Sequence, residues 1–241
     1  MIPIRDCLPR RYTPYMTWFI IALNSIIFIF ELILTREDLD YLFHIFGLIP
    51  ARYMLVSSLP LDPLYYLPFL TSMFLHGGWF HLISNMWIMF IFADNVEDKM
   101  GPFRFLIFYL LCGFGASWIH CLVNPSSMIP TVGASGAISG VLGAYMIMFP
   151  HARVITLFPI LFFPFFFALP AIFYILMWFF IQLFSGLGSL LTPADVGGVA
   201  WWAHVGGFVF GIILHRIFII KKRLHIYDDQ FDYYCAWGRF L

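Results

Sequence analysis

Apolar positions in this chain come in long runs, not in the alternation of a half-buried strand or the narrow stripe of a water-facing helix. Trp18–Ile29 and Ile155–Tyr174 are examples. A run of about 20 mostly apolar residues is the length of a membrane-crossing helix. On that template six spans are predicted: Tyr15–Leu34, Phe80–Phe92, Phe103–Val123, Ser135–Phe149, Leu169–Phe184 and Trp201–Ile219, the second being short. Val154–Phe167 is also apolar, but Pro159 and Pro164 interrupt it, so it reads as a membrane-hugging or re-entrant connection and not as a seventh span. The connection 35–79 is long enough to hold structure of its own. Its runs Leu42–Ile49 and Pro60–Leu70 are expected in the interface.

Composition turns this pattern into a class. Of the 241 residues 62% are hydrophobic and 11% charged, against roughly 45–50% and about 25% in soluble domains. A water-soluble fold of this length could not hide so much apolar surface. The net charge is zero, with 13 basic and 13 acidic residues, and no basic stripe occurs, which excludes disorder and nucleic-acid binding. The expectation is an all-α integral membrane protein, a bundle of six transmembrane helices. Orientation follows from Lys and Arg. Six spans put Arg5, Arg10, Arg11, Lys99, Arg104, Arg153, Arg216, Lys221, Lys222, Arg223 and Arg239 on one side, leaving Arg36 and Arg52 opposite. Both termini are therefore expected in the cytoplasm, as tails 1–14 and 220–241 flanking a membrane domain 15–219. The first run is too long for a signal-peptide core and no small-residue cleavage site follows it. A multi-pass protein of the plasma (cell inner) membrane is the expected location. No CxxC pair and no Cys/His cluster of zinc spacing is present.

Polar residues inside a bilayer are costly and point to function. The second, fourth and sixth spans run in the same direction, and each carries polar groups near its outer start. His81 and Asn85 are four apart on one face of the second; Ser135 begins the fourth; His204 lies near the start of the sixth. Glycine spacing argues that the fourth and sixth helices touch, since Gly136, Gly140 and Ala144 recur every four residues opposite Gly207 and Gly211. Small-xxx-small faces let helix backbones approach closely. A Ser135–His204 hydrogen bond is the expected result. Such a set suits acyl transfer: a hydroxyl nucleophile, an imidazole base, and donors for the oxyanion from His81, Asn85 and the Ser135 N–H. The N-terminal dipole of the fourth helix favours the same charge. Blander readings hold elsewhere. Ser139 is expected to bond its own helix backbone, Asn24 to bridge helices, and Trp201 and Trp202 to form an interfacial belt. His44, His120, His151, His215 and His225 are given no role.

These residues resemble the rhomboid intramembrane serine proteases, through four motifs in order. His76-Gly77-Gly78-Trp79-Phe80-His81-Leu82-Ile83-Ser84-Asn85-Met86 is similar to that family's second-helix signature. Glu97, Gly101 and Phe105 are similar to its ExxxGxxxF turn, Gly133-Ala134-Ser135-Gly136 to its nucleophile motif, and Ala203-His204-Val205-Gly206-Gly207 with Gly211 to its base motif. The resemblance spans roughly residues 15–220. It implies a six-helix rhomboid-like fold with Ser135 as nucleophile, His204 as general base, and His81 and Asn85 as oxyanion donors. His76 and Glu97 would be structural, Glu97 by holding the connection between the second and third spans. Gly101, Gly133, Gly136, Gly140, Gly206, Gly207 and Gly211 would be structural members of the motifs. Two departures stand out: no Trp-Arg pair occurs between residues 35 and 79, and Ser139 stands where some members have a Tyr under the base.

The function expected is hydrolysis of peptide bonds in or near transmembrane helices of other membrane proteins, close to their outer ends, with no metal or other cofactor. The alternative is a non-catalytic rhomboid-like protein that binds membrane helices, though both Ser and His are kept here. A metalloenzyme using His76, His81 and His204 fits poorly, because His76 and His81 are five apart and no acidic ligand is near. Soluble serine proteases usually orient the base with a carboxylate. Here the nearest in sequence, Asp195, reads as a solvated turn residue, so a Ser–His dyad is expected.

Overall fold

In the computed structural model, which describes residues 1–54, 61–160, 163–191 and 198–220, each long apolar run without an internal proline is a helix. In chain order the helices are α1 (Tyr15–Ile33), α2 (Arg36–Phe46), α3 (Ala51–Met54), α4 (Pro68–Thr71), α5 (Trp79–Met100), α6 (Pro102–Val123), α7 (Ser135–Met148), α8 (Ala171–Ser189) and α9 (Trp201–Phe218). Four of them, α1, α6, α8 and α9, are long and apolar enough to cross a membrane. The protein is thus a multi-pass membrane protein, mostly helical. The apolar α7 is shorter, with 14 residues. The long connection after α1 does hold structure of its own: α2 and its Thr35 cap, α3, α4 and two 3-10 turns.

α5 runs two turns past the predicted boundary at Phe92, through Asp94, Asn95, Glu97, Asp98 and Lys99. These polar residues belong to the fold's interior. α1 begins at Pro14 with no side-chain cap of its own, and a helix start leaves unsatisfied N–H groups. Glu97 fills the gap from α5, accepting from Met16 N (3.0 Å), Thr17 N (2.7 Å) and Thr17 Oγ1 (2.7 Å). Its carboxylate therefore ties α5 to α1, whereas the turn into α6 is made by Gly101, whose φ of +75° suits glycine. Asp98 adds an acceptor for Tyr12 N at 3.0 Å.

The all-α expectation needs correcting. Strands β1 (Ile2–Asp6), β2 (Arg153–Ile160) and β3 (Phe163–Pro170) form an antiparallel sheet in the order β1-β2-β3. Val154, Ile155, Thr156 and the phenylalanines of 163–167 have strand propensity. The prolines do not forbid the sheet, because β1 pairs with β2 only as far as Leu157. Pro159 and Pro164 face each other beyond that point, where β2 is an edge and a missing N–H is tolerated. Residues 1–14 are correspondingly not a free tail: Trp87 Nε1 donates to Pro3 O at 2.7 Å, and Asp6 accepts from Asn95 Nδ2 at 2.8 Å and from the Tyr145 hydroxyl. Residues 221–241 lie outside the described residues.

Around the site, α6, α7 and α9 pack closest. A Cβ at Gly207 would fall on the carbonyl oxygen of Gly136, and one at Gly211 on that of Gly140. Opposite these faces, α6 presents Ala116 to Gly136, Cys112 to Gly140 and Ile119 to Gly206. Gly207→Val is expected to lose at least about 1–3 kcal/mol, the usual range for overpacking, because backbone on α7 cannot yield as a flexible side chain can. Melting temperature and the yield of monodisperse protein in detergent read this loss. Gly188→Ala, where an added Cβ meets nothing within 4 Å, should leave both unchanged. Equal behaviour of the two variants would contradict the packing account.

Candidate active site

Three helices and one turn bring the polar groups together. Gly133, with φ +127° and its N–H on Ser72 O at 2.8 Å, turns the chain into α7 so that Ser135 opens that helix. α9 brings His204 to it: Ser135 Oγ lies 2.7 Å from His204 Nε2. The Ser139 hydroxyl donates to Ser135 O in its own helix at 2.6 Å. From α5 come His81 and Asn85, one turn apart, and both approach Gly133. A Cβ at Gly133 would sit 2.6 Å from His81 Nε2 and 3.7 Å from Asn85 Nδ2, so only glycine leaves these groups room beside the backbone before Ser135.

The hydrogen bonds sort the ring nitrogens. Gly77 N–H points to His81 Nδ1 at 3.4 Å, which makes Nδ1 the acceptor and leaves the proton on Nε2, on the Gly133 side. Asn85 Nδ2 is buried with no partner among the described residues. A buried donor left unpaired costs about 1–3 kcal/mol, so this amide is a donor held ready for an acceptor. The first-turn N–H groups of α7 add to it, since a helix start has no acceptors of its own for them. His76 stands behind His81, ring centroids 5.1 Å apart in an edge-on contact. Burial and the neighbouring His81 push its pKa down to about 4, which keeps it neutral. Its backbone N–H donates to Glu31 on α1 at 3.2 Å.

His81, Asn85, Ser135 and His204 line one cavity of about 870 Å³, whose wall also includes Gln182 and His120. Two of those six were passed over in the sequence. His120, given no role there, closes the end of α6 with Nε2 3.1 Å from Thr131 Oγ1 and Nδ1 3.3 Å from Asn124 Nδ2. Gln182 on α8 has its Oε1 2.7 Å from His204 Nδ1, and both side chains are buried. The rule that flagged His81 and Asn85 applies equally to Gln182, an amide inside the apolar run of α8. The His204 ring is flanked by Trp178 at 6.0 Å and Trp201 at 6.3 Å between centroids, so Trp201 serves the site wall and is more than a belt residue. Asn24 is a second correction: its Nδ2 donates to Ile20 O of its own helix at 2.7 Å and it bridges to no other helix among the described residues, because a short amide on an apolar face reaches its own i−4 carbonyl first. His44 and His215 likewise bond backbone of their own helices. Asp195 and His225 lie outside the described residues.

Residues 64–221 match the Rhomboid domain family model. Among curated relatives, RHOMBOID-like protein 1 of Arabidopsis thaliana is 31% identical over 160 residues, covering 66% of this chain and 36% of that protein. Rhomboid-like protein 11, chloroplastic, of Arabidopsis thaliana is 42% identical over 72 residues, 30% of this chain and 25% of that one. Presenilin-associated rhomboid-like protein, mitochondrial, of Bos taurus is 31% identical over 153 residues, 60% of this chain and 36% of that one. The chain thus spans only about a quarter to a third of the length of these relatives.

Proposed function

The chain belongs to the rhomboid family, and from that premise we propose that it is an intramembrane serine endopeptidase cutting transmembrane helices of other membrane proteins. The observation that carries this reading is the 2.7 Å contact between Ser135 Oγ and His204 Nε2 inside a cavity that also holds two convergent donors. Six spans, formed by α1 and α5 to α9, with both termini cytoplasmic and the site near the extracytoplasmic face of the plasma membrane, complete the proposal; the Lys and Arg distribution supports that orientation. α7 is about 21 Å long at 1.5 Å per residue, shorter than the roughly 30 Å hydrocarbon layer. Ser135 at its start therefore sits below the outer surface, beneath a cavity through which water reaches it.

In the proposed reaction His204 Nε2 takes the proton of Ser135 Oγ as the oxygen attacks the scissile carbonyl. Asn85 Nδ2, His81 Nε2 and the α7 N–H groups hold the oxyanion. His204 then returns the proton to the leaving amine, and water repeats the sequence on the acyl-enzyme.

Substrate helices would come in from the lipid past α8, which carries bulky Trp178, Phe179 and Phe180. A helix hides its carbonyls in its own hydrogen bonds, so the cleaved segment must unwind. Reporter spans with Gly or Pro near the outer membrane face are expected to be cut about fivefold or more faster than a poly-Leu span, given Gly and Pro penalties of about 1 and 3 kcal/mol in a helix. Cleavage of reporters in liposomes measures this. A poly-Leu span cut equally well would defeat the unwinding requirement, and no cleavage of any span would favour the non-catalytic, helix-binding alternative.

A further inference from the structure

Hydrolysis by Ser135 and His204 depends on which nitrogen of the imidazole carries its proton. Nε2 accepts from the serine hydroxyl only if Nδ1 is the N–H, and a neutral imidazole has no built-in reason to choose that tautomer. A carboxylate would make the choice, but a buried ion beside the ring carries a desolvation penalty of several kcal/mol unless fully paired. Among the described residues no carboxylate bonds to His204. The group that does is the side-chain amide of Gln182, with Oε1 2.7 Å from Nδ1.

We propose that Gln182 is a positioning residue: its amide oxygen accepts the Nδ1–H of His204, fixing the tautomer and ring plane in which Nε2 can take the proton of Ser135. This inference rests on the reading of Ser135 and His204 as the reacting pair. The assignment of the amide ends follows from the chain of bonds. Were Gln182 turned so that its NH2 met Nδ1, that nitrogen would be the acceptor, Nε2 would carry the hydrogen, and the ring could not accept from the serine. The amide oxygen is an acceptor without a charge, so it does the orienting work of a triad acid in a site where ionisation is opposed. Three features make the arrangement specific. Gln182 and His204 are both buried, so water does not compete for Nδ1. The ring is flanked by Trp178 from the same helix as Gln182, which limits its rotation. And the hydrogen bonds that His204 makes among the described residues, to Gln182 and Ser135, involve uncharged partners.

The test compares three forms of the 241-residue chain in liposomes. Gln182→Met keeps the length and volume of the side chain but offers Nδ1 no oxygen; Gln182→Glu keeps an oxygen at the same reach. Replacing a group that orients a functional imidazole typically lowers activity 10–100-fold, and Gln182→Met is expected to lower kcat by roughly that factor with KM changed less than about twofold. Gln182→Glu should regain most of kcat, and its negative charge should favour the protonated imidazole. Because the base works only when neutral, the acid-side loss of kcat in that variant should begin at higher pH than in the parent. Labelling of Ser135 by a fluorophosphonate should slow in parallel for the Met variant. Should Gln182→Met fail to fold, the Glu variant's pH profile alone decides. Met and Glu variants equally impaired, a fall in KM terms only, or an unshifted acid limb would each overturn the proposal. Loss of this effect while Ser135→Ala is inactive removes only the role of Gln182; an active Ser135→Ala removes the reading beneath it.

Discussion

Ser135→Ala is expected to lower cleavage by roughly 10⁶-fold, and His204→Ala by about as much, the size seen when either member of a coupled nucleophile–base unit is removed. The two share one 2.7 Å hydrogen bond. Alanine at 135 removes the attacking oxygen, and alanine at 204 leaves a hydroxyl that nothing deprotonates. The double variant should therefore be no worse than either single one, because a second loss cannot break a unit already broken. Neither change should unfold the protein. Ser135 stands at a helix start and its hydroxyl bonds among the described residues to His204 alone, while the α7–α9 contact is carried by Gly136, Gly140, Gly207 and Gly211. Turnover of a reporter span, with melting temperature measured alongside, gives both halves of this prediction.

Asn85→Ala should lower kcat by about 10²–10³-fold, equivalent to roughly 2.7–4 kcal/mol of lost oxyanion stabilisation. Asn85 Nδ2 is buried beside Gly133 with no acceptor among the described residues. Such a donor contributes nothing to the resting fold, so its contribution appears only when negative charge develops. KM should change little, and stability should hold or rise slightly as an unsatisfied polar group is removed. His81→Ala is expected to behave similarly in kcat, because its Nε2 approaches the same backbone position. A larger effect on KM than on kcat would mean that these groups bind substrate in its ground state instead.

Much of this arrangement was legible in the sequence for two reasons. Apolar runs without proline had no water-soluble alternative, and polar residues at one depth had no bland explanation as a set. Ser135, His204, His81 and Asn85 stood out because each interrupts or opens an apolar helix, and the glycine spacing of α7 and α9 implied their contact. Other features were hidden by long-range partners. The polar end of α5 looked like a loop because its function, capping α1 through Glu97, lies 80 residues away in the chain. The strands of 153–170 were masked by two prolines whose harm vanishes only because β1 stops at Leu157. Gln182 was visible as an amide in an apolar helix, but its partner His204 comes from the next helix, 22 residues on, and no spacing within one helix links the two.

Covalent labelling tests the central claim most directly. Purified protein in liposomes is treated with a fluorophosphonate and digested, and the modified residue is found by mass spectrometry. The account predicts one adduct, on Ser135, lost in Ser135→Ala and lost in His204→Ala although the hydroxyl is still present there. Absence of an adduct on Ser135 in an active preparation, or labelling of Ser135 undiminished by His204→Ala, would contradict it.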